Sequence, residues 1–152
     1  NDTTQFMVEC KYHSTSHAKT DVKVSLYIHS RFEDLKEEWL KTHQTEKRKL
    51  KGMLITNSRF SGDALQYGIC AGLTMVSWDH PKGNSLRDWI DKADFHPVTS
   101  LKTIKKSEKQ ALLKKGIVLC REIVSDPSQL EDIIFSAPRI RRVVKEAQAL
   151  IQ

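Results

Sequence analysis

The sequence predicts an α/β domain, a mixed sheet flanked by helices, followed by a small all-α module, and two observations carry that reading. Up to about residue 95, apolar strand-like runs alternate with helical stretches in the order strand, helix, strand, helix, strand. Strands joined by helical crossovers lie in a partly parallel sheet with helices packed on it. Beyond His96-Pro97 the strand signals vanish and only helical spacing is left. The domains are therefore placed at residues 1–95 and 96–152, the second being short for a core of its own and expected to pack on the first.

Each element has its own local reason. Asn1-Asp2-Thr3-Thr4 has turn chemistry and feeds a strand over residues 5–11. Such a turn belongs to a hairpin, so a partner strand is expected before residue 1. "STSHAKTD" is a polar loop. Over residues 21–47, Ile28, Phe32, Leu35 and Trp39 recur at spacings of four, three and four, the stripe of an amphipathic helix. "LKGMLITNS" is a short buried strand centred on residues 53–56. "SGDALQYGICAGL" is a helix with Ser61 as N-cap and Gly72 as its stop, and "LTMVSW" is another strand. Residues 79–84 form a loop, and Ser85 with Asp88 caps a short helix through Trp89 and Ile90. In the tail, residues 100–104, 108–115, 117–124, 128–135 and 139–151 read as helical, with Ser107 and Gln110 as a capping box, Gly116 as a stop and Ser136-Ala137-Pro138 as a start.

Composition bounds the function. With 39% hydrophobic and 29% charged residues in 152, the chain carries a real core and is not a disordered one. It has neither an apolar run of membrane-spanning length nor a secretory leader pattern, which points to the cytoplasm. Cys10, Cys70 and Cys120 form no CxxC pair, so neither a zinc knuckle nor a disulfide framework is indicated, and they read as small buried hydrophobes. The net charge of +6 is clustered at Lys47, Arg48, Lys49 and Lys51, at Lys102, Lys105, Lys106, Lys109, Lys114 and Lys115, and at Arg139, Arg141, Arg142 and Lys145. Polyanions are the favoured partners, nucleic acid first.

"FMVECKYH" carries the chemistry. Residues i and i+2 of a strand project together, so Glu9 and Lys11 share one side while Phe6, Val8 and Cys10 take the other. The pair can be a plain exposed ion pair. It can also serve phosphodiester hydrolysis, in which a carboxylate holds a divalent cation and a neighbouring lysine orients water or stabilises charge.

The E-x-K strand, the "GMLITNSRFSGDA" strand-to-helix passage and the "WDHP" end of the last strand resemble the restriction-endonuclease-like PD-(D/E)xK nucleases, specifically their Mrr-like branch, over residues 5–93. The resemblance implies that Glu9 is a metal ligand and Lys11 catalytic, with Mg2+ or Mn2+ as cofactor and DNA as substrate. It also implies an acid on the preceding strand. Asp2 lies only seven residues before Glu9, so that acid is expected upstream of residue 1, and the chain to be impaired without it; Glu33 or Asp34 could be a migrated substitute. Relatives of this type are joined to regulatory nucleotide-binding domains such as an ATP-cone, and a homodimer stays open. "LKTIKKSEKQALLKKGIVLCREIV" resembles a helix-hairpin-helix unit, with Lys105-Lys106-Ser107 as its turn and lysines in place of the usual glycines. Such a turn offers backbone N–H groups to a phosphate; a helical bundle that merely packs is the plainer alternative.

Arg59 is read as a phosphate contact next to the Ser61 cap, at a helix start that can hold an anion. His13 and His17 are either phosphate or metal contacts or solvated loop residues. Trp78, Trp89 and Tyr67 read as packing residues, and Gln66 stays open. Three functions follow: metal-dependent DNA endonuclease, non-cleaving DNA-binding or regulatory module on the same fold, or basic protein-interaction module.

Overall fold

The computed structural model describes residues 4–15, 18–43 and 48–151. The chain forms two compact units, Asn1–Arg87 and Asp88–Gln152. The division falls within a short helix, Leu86–Lys92, whereas the sequence set it near residue 95.

The first unit contains β1 (Thr4–Lys11), β2 (Lys19–Thr20), α1 (Val22–Thr42), β3 (Lys49–Thr56), β4 (Arg59–Phe60), α2 (Gly62–Cys70) and β5 (Thr74–Val76). The main sheet has the order β1-β3-β5. Both of its pairings are parallel, as is the β2–β4 pair. Among the described residues the sheet is thus parallel rather than mixed. The reason is connectivity: α1 returns the chain between β1 and β3, and α2 between β3 and β5, so each strand starts again at the same end. Strands β2 and β4 escaped the sequence reading because two residues carry no period. The expected turn at residues 1–3 lies outside the described residues, as do His17 and Lys47.

Helix α1 starts where Asp21 accepts hydrogen bonds from the backbone N–H groups of Lys23 and Val24. It buries Ser25, Ile28 and Phe32, but Leu35 is 45% exposed, so the expected apolar stripe is buried only over its first part. Ile28, Phe32, Leu54, Leu73 and Met75 form the core, joined by Met7, Val24 and Leu50. Gly52 permits the close packing of α1 on the sheet: a Cβ there would stand 2.6 Å from Leu73 Cδ2 and 2.9 Å from the Phe32 ring.

The pleat of β1 runs opposite to the usual apolar-in pattern. Met7 packs on the core, which turns Glu9 and Lys11 to the α1 side and leaves Phe6 and Val8 43% and 46% exposed on the other. Cys10 and Cys70 are exposed as well; only Cys120 of the three is buried.

Beyond α3 (Leu86–Lys92) the second unit holds α4 (Lys106–Lys114), α5 (Cys120–Ser125) and α6 (Ala137–Leu150), with 3₁₀ turns at Val98–Ser100 and Pro127–Leu130. Val98, Leu101, Leu112, Cys120, Ile123, Leu130, Val143 and Ala147 make its core. Of the segments expected to be helical, 100–104 keeps only Ser100 in a 3₁₀ turn, 117–124 is helical from Cys120 on, and 128–135 is reduced to the 3₁₀ turn ending at Leu130. The expected Ser107–Gln110 box does not form. Instead Lys105 is the N-cap, and its backbone N–H donates to Glu108 Oε2 at 2.7 Å. The turn between the two consecutive helices α4 and α5 lies at Gly116, with φ 78°, and not at Lys105-Lys106-Ser107.

Candidate phosphate-binding site

In the parallel register Lys11, the last residue of β1, stands opposite Thr56, the last of β3, and Glu9 opposite Leu54. The carboxyl ends of parallel strands are where open α/β sheets place ligands. There, Glu9 and Lys11 line one pocket of about 270 Å³ together with Lys23, Val24, Tyr27 and Ile28 of α1. Arg31 stands beside it, donating to the Tyr27 hydroxyl at 3.3 Å. That hydroxyl, and behind it the Glu9 carboxylate, hold the Arg31 guanidinium above its ordinary pKa. The pocket therefore gathers one carboxylate and several cations, an arrangement suited to an anion whose far side meets a carboxylate-held group.

A buried hydroxyl network anchors the strand ends. Thr20, Thr56 and Ser58 lie 3.1–3.3 Å from one another, and the His13 ring reaches Thr20 Oγ1 at 3.0 Å. The Asn57 side chain completes it by accepting from the His13 backbone N–H and donating to the His13 carbonyl, each at 2.8 Å. His13 is thereby a structural brace of the loop after β1.

The other expected contacts are scattered. Arg59 Nε is held by Asp79 Oδ2 at 2.7 Å, in a separate pocket of about 340 Å³ that includes His80 and Lys82. Ser61 does cap α2, accepting from Ala64 N–H at 3.2 Å. Tyr67 Oη pairs with His29 Nδ1 at 2.8 Å, and Gln66 lines a further surface pocket with Tyr67 and Cys70. Trp78 is 40% exposed and is not a core residue. Glu33 is turned to Lys36 at 3.2 Å.

In the second unit, of the Lys105-Lys106-Ser107 turn expected to meet phosphate, the first backbone N–H is already taken, as are those of the preceding loop. Lys105 N–H serves Glu108, and the Lys102 and Thr103 N–H groups donate to Glu146 at 2.7 and 2.9 Å. Lys109 donates to the Thr99 carbonyl at 2.6 Å, and Lys115 pairs with Asp132 at 2.9 Å. Lys106 and Lys114 are exposed at the two ends of α4. The open turn is that of Gly116, where an added Cβ would meet nothing within 4 Å.

Sequence reasoning missed Lys23, Tyr27 and Arg31. Their spacing of four is legible, but α1 was read for its apolar stripe, and only the sheet shows which polar face lies over Glu9.

Residues 96–151 match the protein family described as AF1548-like, C-terminal. An uncharacterized protein of Archaeoglobus fulgidus is 28% identical over 151 residues, covering 99% of this chain and 80% of the relative. The crystal structure of a protein of unknown function, AF1548, is likewise 28% identical, with a TM-score of 0.62 over 99% of this chain and 76% of that one. The likeness thus extends through both units.

Proposed function

We propose that the chain is a DNA-acting domain of nuclease type, whose α/β unit is restriction-endonuclease-like of the Mrr-like branch, acting on the phosphodiester backbone in the cytoplasm. The convergence of Glu9 and Lys11 on one pocket at the carboxyl ends of parallel strands carries this reading. Among the described residues no group of three or more His, Cys, Asp or Glu could hold a metal ion, and Glu9 is the carboxylate in the pocket lining. Magnesium is often held by one or two protein carboxylates, with waters and substrate phosphates completing its shell, and Glu9 fits as a ligand of that sparse kind. When bound, such an ion lowers the pKa of water and neutralises charge on the phosphoryl oxygens. Lys11, two residues along the same face, places an ammonium beside the phosphate and stabilises the charge that grows there. Lys23, in the first turn of α1, adds a second cation on the opposite wall. In the second unit, the open Gly116 turn with Lys114 beside it supports an auxiliary backbone contact.

Plasmid nicking with Mg2+ or Mn2+ tests the assignment. In the protein with any residues that precede Asn1 in its gene, Lys11→Ala is expected to cut nicking about 100-fold or more; cleavage that survives the substitution overturns the role given to Lys11. A second reading, a non-cleaving DNA-binding module on the same fold, is favoured by one observation: cations outnumber carboxylates around the pocket. Salt-dependent binding without nicking, by the protein with any residues that precede Asn1 in its gene, selects it.

A further inference from the structure

We infer that Lys23, Tyr27 and Arg31 form a track on α1 along which one strand of a nucleic acid lays successive backbone phosphates beside Glu9 and Lys11. The inference rests on the phosphodiester reading of that pocket and deepens it by naming the groups that hold the strand, Lys23 of the pocket wall among them. The three residues are spaced four apart, which stacks them on one face of a helix. All three are exposed. Lys23 and Tyr27 line the same pocket as Glu9 and Lys11, and the Arg31–Tyr27 hydrogen bond fixes the guanidinium next to it. Eight residues of α-helix advance about 12 Å. A track of that length exceeds a single phosphate and suits a run of them.

Charge selects the ligand further. On the adjoining turn Glu33 is paired with Lys36, Asp34 is an exposed acid three residues beyond Arg31 that marks the far end of the track, and Asp21 is spent capping the helix. Lys23 and Arg31 make no ion pair among the described residues, so both remain for phosphate. The hydroxyl of Tyr27 holds Arg31 in place and offers its ring to a sugar or base. No base edge is read by such a set, so the grip is indifferent to sequence.

The test is binding in excess chelator, where cleavage is silent. The full chain is titrated with a single-stranded oligonucleotide of about a dozen nucleotides and with a short duplex, across a range of salt. Lys23→Ala and Arg31→Ala are each expected to weaken binding equally for unrelated sequences and to lower the slope of log affinity against log salt by about one. Tyr27→Phe is expected to weaken binding less. Inorganic phosphate at millimolar concentration is expected to compete poorly, and efficient competition overturns the track in favour of a small-anion site. An unchanged slope in the Lys23→Ala/Arg31→Ala double variant, folded by circular dichroism, also overturns it. Neither outcome touches the Lys11 nicking result, so the failure of the track and the failure of the nuclease reading are separable.

Discussion

Glu9 of the N-terminal unit is used differently from the glutamates of the C-terminal unit, although Asp21 and Asp79 of the first unit also serve its fold. In the C-terminal unit carboxylates are spent on the fold. Glu108 accepts from Lys105 N–H and takes both Nη1 and Nη2 of Arg139, at 2.8 and 3.0 Å; Glu122 accepts from Val118 and Leu119 N–H; Glu146 holds the 102–103 loop. In the N-terminal unit Glu9 makes no hydrogen bond within the described residues and lines an open pocket with Lys11. A carboxylate satisfied by backbone N–H groups is fixed and has little left for a ligand. One that faces a pocket unsatisfied is available to bind. The contrast sets Glu9, which faces a pocket, apart from Glu108, Glu122 and Glu146, which hold backbone and side-chain partners of their own unit.

That contrast can be broken by substitution. The largest effect is expected from Glu108→Ala, which orphans the Lys105 N–H and the Arg139 guanidinium and lowers stability by about 2–3 kcal/mol, measured by urea unfolding of the full chain. Glu9→Ala, by contrast, is expected to leave stability within about 0.5 kcal/mol; a loss as large as that of Glu108→Ala would make Glu9 a structural acid. Next comes Gly52→Ala, which forces Phe32 and Leu73 aside and is expected to cost about 2 kcal/mol, chiefly in the first unit.

Acid titration sharpens the same comparison. The Arg139 hydrogen bond holds the Glu108 carboxyl below its ordinary value of 4.5. Burial pushes the Glu146 carboxyl up, but the Thr103 hydroxyl and two backbone N–H groups outweigh it and hold it low. A lowered folded-state pKa contributes stability that is complete above the unfolded value and is lost as pH falls through the folded one. Unfolding midpoints are therefore expected to hold steady from neutrality to about pH 5 and to fall below about pH 4.5, with Glu108→Gln flattening the fall. The smallest effect is expected from Lys115→Ala: its exposed pair with Asp132 contributes nothing measurable to stability.

Much of the fold was legible because it is written in local periods. The strand–helix alternation, the Ser61 cap and the Gly72 and Gly116 stops all depend on neighbours within a turn or two, and the structure has them in place. The capping of α4 was misplaced by two residues because a glutamate reaching back to a backbone N–H can serve any cap residue, even Lys105, which has no accepting side chain. The site was half legible. Glu9 and Lys11 share a face by strand geometry alone, but nothing in "FMVECKYH" says that this face, and not the apolar one with Phe6 and Val8, turns to α1.

By itself the sequence determined the longer elements of the first unit, their order and the common side of Glu9 and Lys11, since each follows from backbone geometry over a few residues. The tertiary structure decided that every described strand pairing is parallel, which face of β1 is covered, and that Lys23 and Tyr27 meet Glu9. Those outcomes depend on contacts between residues far apart in the chain, where packing of Met7, Phe32 and Leu54 into one core outweighs the local preference of an apolar face to be buried.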